Sequence, residues 1–405
     1  MNNAKPHRLI YVDLLRGLAA LAVLLYHVRA TVNLTPGLAG GGLLGKIWMA
    51  FSCHGSSAVI VFFVLSGYMV GGGVLRSLRN GTWSWRDYAI ARFTRLYVVL
   101  IPALLLTLLL DVSGRNLIPS SEIYVVQTQD SDYSLRGPNT FPGSPTTWLS
   151  HSVFLGNLLF LQDMICPVLG TNGALWSLSY EFWYYLLFPC LLLVFQERSG
   201  RERLAYVFLA CAIAWLLGSK GLFLMTAWLA GAGMAWLFAN FPARPNPVWL
   251  RFLVWVTFAC HGLALAVFSA IGPVWSTLLS AGLTCAILWV ETRASGDSTS
   301  WYTRPVEGLS EMSYTLYATH YPLLFLLHAL WLGNQKLHHS PSGIVTALTI
   351  AAIAFGFAYA WWWLFERRTN EIRDFFRQRL PGGARESSAA PSSGIISPKL
   401  NHPGK

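Results

Sequence analysis

The chain has 405 residues, of which 54% are hydrophobic and only 12% charged, with 18 tryptophans and a mean hydropathy of +0.46. This balance excludes an ordinary soluble domain and an intrinsically disordered chain. The formal net charge of +11 does not indicate nucleic acid, because the basic residues gather in the segments between hydrophobic runs.

Those runs recur along the whole sequence, most of them about 18–22 residues long and so able to cross the hydrocarbon core. They predict ten spans, near 9–30, 53–73, 95–111, 174–195, 204–219, 221–240, 250–269, 273–291, 310–332 and 342–365. A backbone in lipid must satisfy its own hydrogen bonds, so the spans are helices. The expected fold is all-α: a polytopic membrane bundle. With the N-terminus inside, 22 of the 29 Lys and Arg residues fall on the cytoplasmic side and 6 outside, with Arg16 in the membrane. That asymmetry places both termini in the cytoplasm. Residues 1–366 form the membrane domain, with an outer loop at 111–150. A basic juxtamembrane stretch at 367–380 is expected to lie on the inner leaflet. The Pro-, Gly- and Ser-rich tail at 381–405 is expected to be disordered. No cleaved signal peptide is expected, because Asp13 and Arg16 interrupt the first apolar run.

The first span carries Asp13, Arg16 and His27, three ionisable residues where lipid makes charge costly. At about 100° per residue, Arg16 and His27 point within roughly 20° of each other, and Asp13 within roughly 40° of His27. Eleven residues at about 1.5 Å place His27 roughly 16 Å deeper than Arg16. The stripe is a polar track ending at a candidate general base. In the second span, Ser66-Gly67 is a small-residue pair that reads as helix packing. Arg92 and Arg95 share one helix face at the inner mouth of the third span. Guanidinium forks there suit phosphate, although taken alone they are also ordinary inner-side basic residues.

Further along, residues 148–161 are apolar but too short to span. Trp176-Ser-Leu-Ser-Tyr-Glu181 opens the fourth span with a carboxylate among aromatics. Glu181 reads either as a site residue or as a structural partner for a buried Arg. The ninth span holds Ser313-Tyr314-Thr-Leu-Tyr317-Ala-Thr-His320-Tyr-Pro, whose histidine reads equally well as a satisfied core residue. The six cysteines show no C-x-x-C spacing and read as small hydrophobes. His338 and His339 have no partner spacing for a metal, and no metal site is expected.

Taken in order, Asp13-Leu-Leu-Arg16-Gly…His27, Phe62-Phe-Val-Leu-Ser66-Gly-Tyr, Arg92-x-x-Arg95-Leu-Tyr, Trp176-Ser-Leu-Ser-Tyr-Glu181 and Ser313-Tyr-Thr-Leu-Tyr-x-x-His320-Tyr-Pro resemble the acyltransferase-3 family of integral membrane acyltransferases. The resemblance runs from about residue 8 to residue 366. It departs from the family at Ile60-Val61, before the Phe-Phe pair, and at Thr319, before the second histidine. It implies acyl transfer from acetyl-CoA or another acyl-CoA to a carbohydrate hydroxyl, across the bilayer of a bacterial inner membrane. Family members acylate lipopolysaccharide, exopolysaccharide, lipo-oligosaccharides or peptidoglycan, and some carry an extra extracytoplasmic hydrolase-like domain. None is visible in this sequence, which implies direct transfer or a separate periplasmic acyl-transfer protein. On this reading Arg92 and Arg95 hold the donor's phosphates, Asp13 pairs with Arg16, and His27 is general base or acyl carrier. Glu181, Ser66, Trp176, Tyr314 and His320 would line or orient the site.

The same stripe also suits a proton-coupled transporter or flippase of a glycan or lipid-linked precursor. Paired halves with broken helices would favour that alternative, and no internal repeat is visible. The charge asymmetry makes its own prediction. A fluorescent protein fused after residue 405 fluoresces and alkaline phosphatase fused there is inactive; the reverse pattern contradicts the orientation.

Overall fold

The backbone meets the demand of lipid with helices alone: among the described residues there is no strand, only an isolated bridge between Gln162 and Cys166. The structure is a computed structural model that describes residues 10–32, 42–124, 147–196, 199–241, 247–267, 273–292, 303–335, 337 and 340–380. Most of the expected outer loop, the tail from residue 381 and the pair His338-His339 lie outside the described residues.

The helices are α1 (Ile10–Thr31), α2 (Gly42–Ser52), α3 (Gly55–Ser66), α4 (Gly72–Arg79), α5 (Trp85–Leu117), α6 (His151–Leu158) and α7 (Trp176–Gln196). They continue as α8 (Gly200–Asn240), α9 (Val248–Val267), α10 (Pro273–Glu291), α11 (Thr303–Trp331), α12 (Pro341–Leu364) and α13 (Thr369–Arg379). A π-helical turn, Gly67–Gly71, joins α3 to α4. Seven helical stretches among the described residues are long and apolar enough to cross a membrane. Ten spans are expected from sequence: 204–219 and 221–240 are here one helix, 250–269 counts only as a shorter apolar helix over Val248–Cys260, and 310–332 is too polar to count. α8 runs for 41 residues, about 61 Å if straight, twice the hydrocarbon thickness. It breaks at Gly218, whose φ of 60° and ψ of −173° are open to glycine but not to most residues. Tyr206, near its start, accepts a hydrogen bond from Trp85 at the start of α5, and its end meets Arg79 at the end of α4. Both ends of α8 therefore lie at one end of the bundle. α11 is 29 residues long, but its polar stripe and the charged residues Arg304, Glu307 and Glu311 remove it from any purely apolar count.

The starts of α1, α5, α9 and α11 and the ends of α4 and α12 share that same end of the bundle, through Asp13–Ser310, Arg251–Tyr11, Arg79–Ala239 and Arg95–Glu366 contacts. We call it the basic end. α5 begins ten residues before the expected span because Ser84 caps it, accepting from the Asp87 N–H at 3.3 Å. That first turn is polar and invisible to hydropathy. α6, with eight residues, confirms that residues 148–161 contain no crossing helix.

Small residues set the closest approach. Gly67 of the π turn and Gly231 of α8 face one another's helices, so a Cβ on Gly67 would overlap the Trp228 carbonyl and one on Gly231 the Val64 carbonyl. Outward side chains are apolar instead: Phe195 is 85% exposed and Trp215 84%. In water this would be an aggregation surface, whereas in a bilayer it is the lipid contact. The six cysteines are all free. Gly67→Ala is expected to cost about 1–3 kcal/mol through forced separation of the two backbones. Gly73→Ala, where nothing stands within 4 Å, is expected to be neutral. Thermal midpoints in detergent measure both, and equal midpoints would contradict the packing.

Candidate active site

α1 and α11 run side by side in parallel. At the basic end the Ser310 hydroxyl donates to Asp13 Oδ1 at 2.7 Å; further along, His27 Nδ1 lies 2.8 Å from His320 Nε2. The α1 stripe therefore faces a matching stripe on α11: Ser310, Ser313, Tyr314, Tyr317 and His320 at helical spacing. Each helix buries the other's polar groups, which is how ionisable residues persist in a membrane. Gly17 makes room, since a Cβ there would press on Leu309 of α11.

Between these helices and α3, α5 and α7 lies a cavity of about 300 Å³. Arg16, Arg92, Arg95, Ser66, Glu181, Ser177, Tyr185, Ser313, Tyr314 and Tyr317 line it. Three guanidinium groups against one carboxylate give the lining an excess of positive charge. Arg95 lies 5.7 Å from the Tyr314 ring, with a terminal nitrogen 3.7 Å from Glu366 Oε1. Glu366 is itself buried, and its other oxygen accepts from the Thr315 amide at 3.1 Å and hydroxyl at 2.6 Å. Thus the start of α5, the middle of α11 and the end of α12 converge on one carboxylate. Arg92 lies 6.0 Å from the Tyr88 ring. Its buried Nε and the buried hydroxyl of Tyr314 have no hydrogen-bond partner among the described residues. Buried donors are normally satisfied by protein or ordered water, so these two orphans mark the cavity wall as a place where a ligand or water is held.

The opposite wall is a directed hydrogen-bond chain. Trp228 Nε1 can only donate, to Ser66 Oγ at 3.2 Å. Ser66 then meets the Tyr185 hydroxyl at 3.1 Å, which donates to Glu181 Oε1 at 2.6 Å. Two prolines help to place this wall and the histidine pair. Pro189 removes the N–H that would bond the Tyr185 carbonyl four residues earlier, and the Tyr88 hydroxyl donates to that carbonyl instead at 2.8 Å. Pro322 frees the Ala318 carbonyl in the same way, and Asn172 Nδ2 fills it at 2.9 Å while also donating to Thr107.

The histidine pair has a definite polarity. His320 Nδ1 lies 2.7 Å from the Leu316 carbonyl, an acceptor only, so this nitrogen carries the proton. With both rings neutral, His320 Nε2 accepts and His27 Nδ1 donates. His27 Nε2 is then the nitrogen with the lone pair. This tautomer is assigned from the hydrogen-bond network. Tyr321 stacks on His27 at 4.3 Å and fixes the ring plane. Tyr317, whose hydroxyl meets Ser177 at 2.6 Å, stands between this pair and the cavity, its ring 6.3 Å from His320.

Of the residues expected from sequence, Arg16, Arg92, Arg95, Glu181, Ser66 and Tyr314 share the cavity. Asp13 sits at the basic end on Ser310. His27 and His320 form a separate pair roughly 16 Å along α1 from Arg16. Trp176 is not in the cavity wall: its ring lies 4.8 Å from Lys220 Nζ, which pairs with Asp163 at 2.6 Å in a brace at the far end. The Ser66-Gly67 pair divides its roles, glycine packing and serine hydrogen bonding. Sequence reasoning missed Glu366, Tyr185 and Trp228. Among the described residues no three His, Cys, Asp or Glu side chains gather as a metal would need.

The chain matches the acyltransferase-3 family, described as an acyltransferase domain, over residues 9–367. It belongs to that family, and the bundle with its polar site is that of a multi-pass membrane acyltransferase. It is also similar to an O-acetyl transferase of Shigella phage Sf6, 24% identical over 374 residues that cover 89% of this chain and 96% of the relative. No solved structure matches the chain. Family membership decides between the enzyme and the transporter.

Glu366 ties three helices, so Glu366→Ala should destabilise the protein by about 1.5–3 kcal/mol, the range for hydrogen bonds to a charged group. Removing the exposed Glu371 should change little. Thermal unfolding of the two variants checks this, and equal midpoints would remove Glu366 from the framework.

Proposed function

We propose that the protein is an O-acyltransferase that takes an acetyl or other acyl group from cytoplasmic acyl-CoA. It passes that group to a hydroxyl of a cell-surface or exported glycan. The observation that carries this reading is the pairing of an arginine-lined cavity at the basic end with a histidine of defined polarity roughly 16 Å along the same helix. The phage relative, an O-acetyl transferase by name, supports the acetyl group and the oxygen acceptor. The basic end faces the cytoplasm of a bacterial inner membrane, with ten spans and both termini inside, as the positive charge at that end favours.

Arg92, Arg95 and Arg16 bind the donor's phosphates through the cavity. The narrow pantetheine arm follows the α1–α11 stripe past Tyr314 and Tyr317 and brings its thioester carbonyl towards His27. Nε2 of His27 takes the proton of the acceptor hydroxyl as the oxygen attacks the carbonyl carbon. The C–S bond breaks, the sulfur leaves as thiolate, and the imidazolium returns the proton to it. In the covalent variant Nε2 itself attacks the carbonyl, and the hydroxyl then displaces the imidazole. The Trp228–Ser66–Tyr185–Glu181 chain orients the Glu181 carboxyl group beside the arginines. The acceptor glycan approaches from the far end, by direct transfer or through a separate periplasmic protein.

His27→Ala is expected to abolish acetyl transfer in purified protein with labelled acetyl-CoA and a glycan acceptor, while a cooperative thermal transition shows that the variant still folds. His320→Gln, which keeps an acceptor for His27 Nδ1–H, is expected to retain far more activity than His320→Leu. Paired Arg92→Ala and Arg95→Ala changes should raise the donor KM by about a hundredfold, as two charge-assisted contacts at roughly 1.5 kcal/mol each imply. Normal transfer by folded His27→Ala would overturn the mechanism.

A further inference from the structure

A second cavity of about 230 Å³ adjoins the first at the basic end and shares Met69, Val70 and Arg92 with it. Its walls differ in kind. Trp83 and Tyr88 stand side by side, ring centroids 5.0 Å apart and planes inclined by 43°. Hydroxyls come from Ser77, Thr82 and Ser84, a carboxylate from Asp87, and a guanidinium from Arg377 of α13. The buried Trp83 Nε1, like Arg92 Nε, has no hydrogen-bond partner among the described residues. Arg86 fixes α13 in this position, its Nη2 donating to the carbonyls of Arg377 at 2.6 Å and Leu380 at 2.9 Å.

An aromatic wall with an unsatisfied N–H, hydroxyls beside a carboxylate, and guanidinium groups on two sides describe a planar heterocycle, a sugar and phosphates. The match is to a purine nucleotide: base against Trp83 and Tyr88, the free ribose 2′-hydroxyl towards Asp87, and phosphates at Arg377 and at the shared Arg92, which leads on to Arg95 and Arg16. A lipid headgroup would need the phosphate but not the aromatic wall. The narrow arm of the donor then enters the first cavity past the shared residues Met69, Val70 and Arg92.

We propose that this second cavity seats the purine nucleotide head of the donor, and that α13 closes it through Arg377. The basic C-terminal helix is therefore part of the donor site. This inference rests on the acyl-CoA reading above and adds its own residues to it. Arg377 serves to position the nucleotide and takes no part in the chemistry.

The test uses the full chain in detergent with two donors, acetyl-CoA and acetyl-pantetheine, which lacks the nucleotide. Trp83→Ala and Arg377→Ala should each raise KM for acetyl-CoA by roughly tenfold or more, from lost stacking or lost charge–phosphate contact. They should leave kcat near normal and KM for acetyl-pantetheine unchanged. Arg379→Ala, removing one charge of the same helix outside the cavity, should change neither. Adenosine 3′,5′-bisphosphate should compete with acetyl-CoA in the wild type, and more weakly in Arg377→Ala. Because Arg377 lies on a surface helix, its variant keeps the test open if Trp83→Ala fails to fold. An unchanged KM for acetyl-CoA in folded Arg377→Ala, or an equal rise for both donors, overturns the inference and leaves the acyl-CoA reading standing. Failure of the wild type to use acetyl-CoA overturns that reading itself.

Discussion

Burying charge in a bilayer is the constraint on which the rest of this structure depends. Asp13, Arg16 and His27 cannot face hydrocarbon without a cost of several kcal/mol each. Only a second helix with polar groups at the same heights can take them. α11 supplies Ser310, Ser313, Tyr314, Tyr317 and His320, and the two helices pack in parallel so that the stripes meet. Every other element then finds its place around this pair: α5 brings arginines to its basic end, α7 a carboxylate, and α12 ends in the glutamate that ties Arg95 to Thr315.

The rest of the framework shows how irregular backbone is tolerated near a functional site. A π turn at Gly67–Gly71 and prolines at 189 and 322 each disturb helical hydrogen bonding. In lipid such groups need a new partner. Tyr88 and Asn172 provide it at the two prolines, and each is itself bound into the site or its support. The carbonyls freed at the two prolines are thus satisfied by side chains of neighbouring elements.

Much of this was legible in the sequence because lipid imposes simple rules. Apolar runs marked α1 to within one residue at each end, and helical spacing alone put Arg16 and His27 on one face. Arg92 and Arg95 were found by their three-residue step. Other features left no such trace. Glu366 sits one residue before the pair Arg367-Arg368 and reads as an ordinary headgroup residue; only the return of α12 to α5 carries it to Arg95. Tyr185 and Trp228 lie among many aromatics, and their roles depend on which helix faces Ser66. Trp176 sat in the right motif but turns towards Lys220. α13 reads as a membrane-surface segment, and nothing in its sequence marks the hydrogen bonds by which Arg86 ties it to α5. Periodicity finds the face of a helix, but not which helix that face meets.

In the proposed function the bundle is a conduit, with the donor bound at the basic end and the acceptor served roughly 16 Å further along α1. Vectorial transfer in proteoliposomes tests this most directly. Labelled acetyl-CoA is supplied on one side of sealed vesicles and a membrane-impermeant glycan on the other, with the protein's orientation fixed by the position of its C-terminus. The account predicts acetylated glycan only when acetyl-CoA bathes the face carrying the basic end and the glycan lies opposite, and none from His27→Ala. Product formed only when both substrates share one side would contradict it.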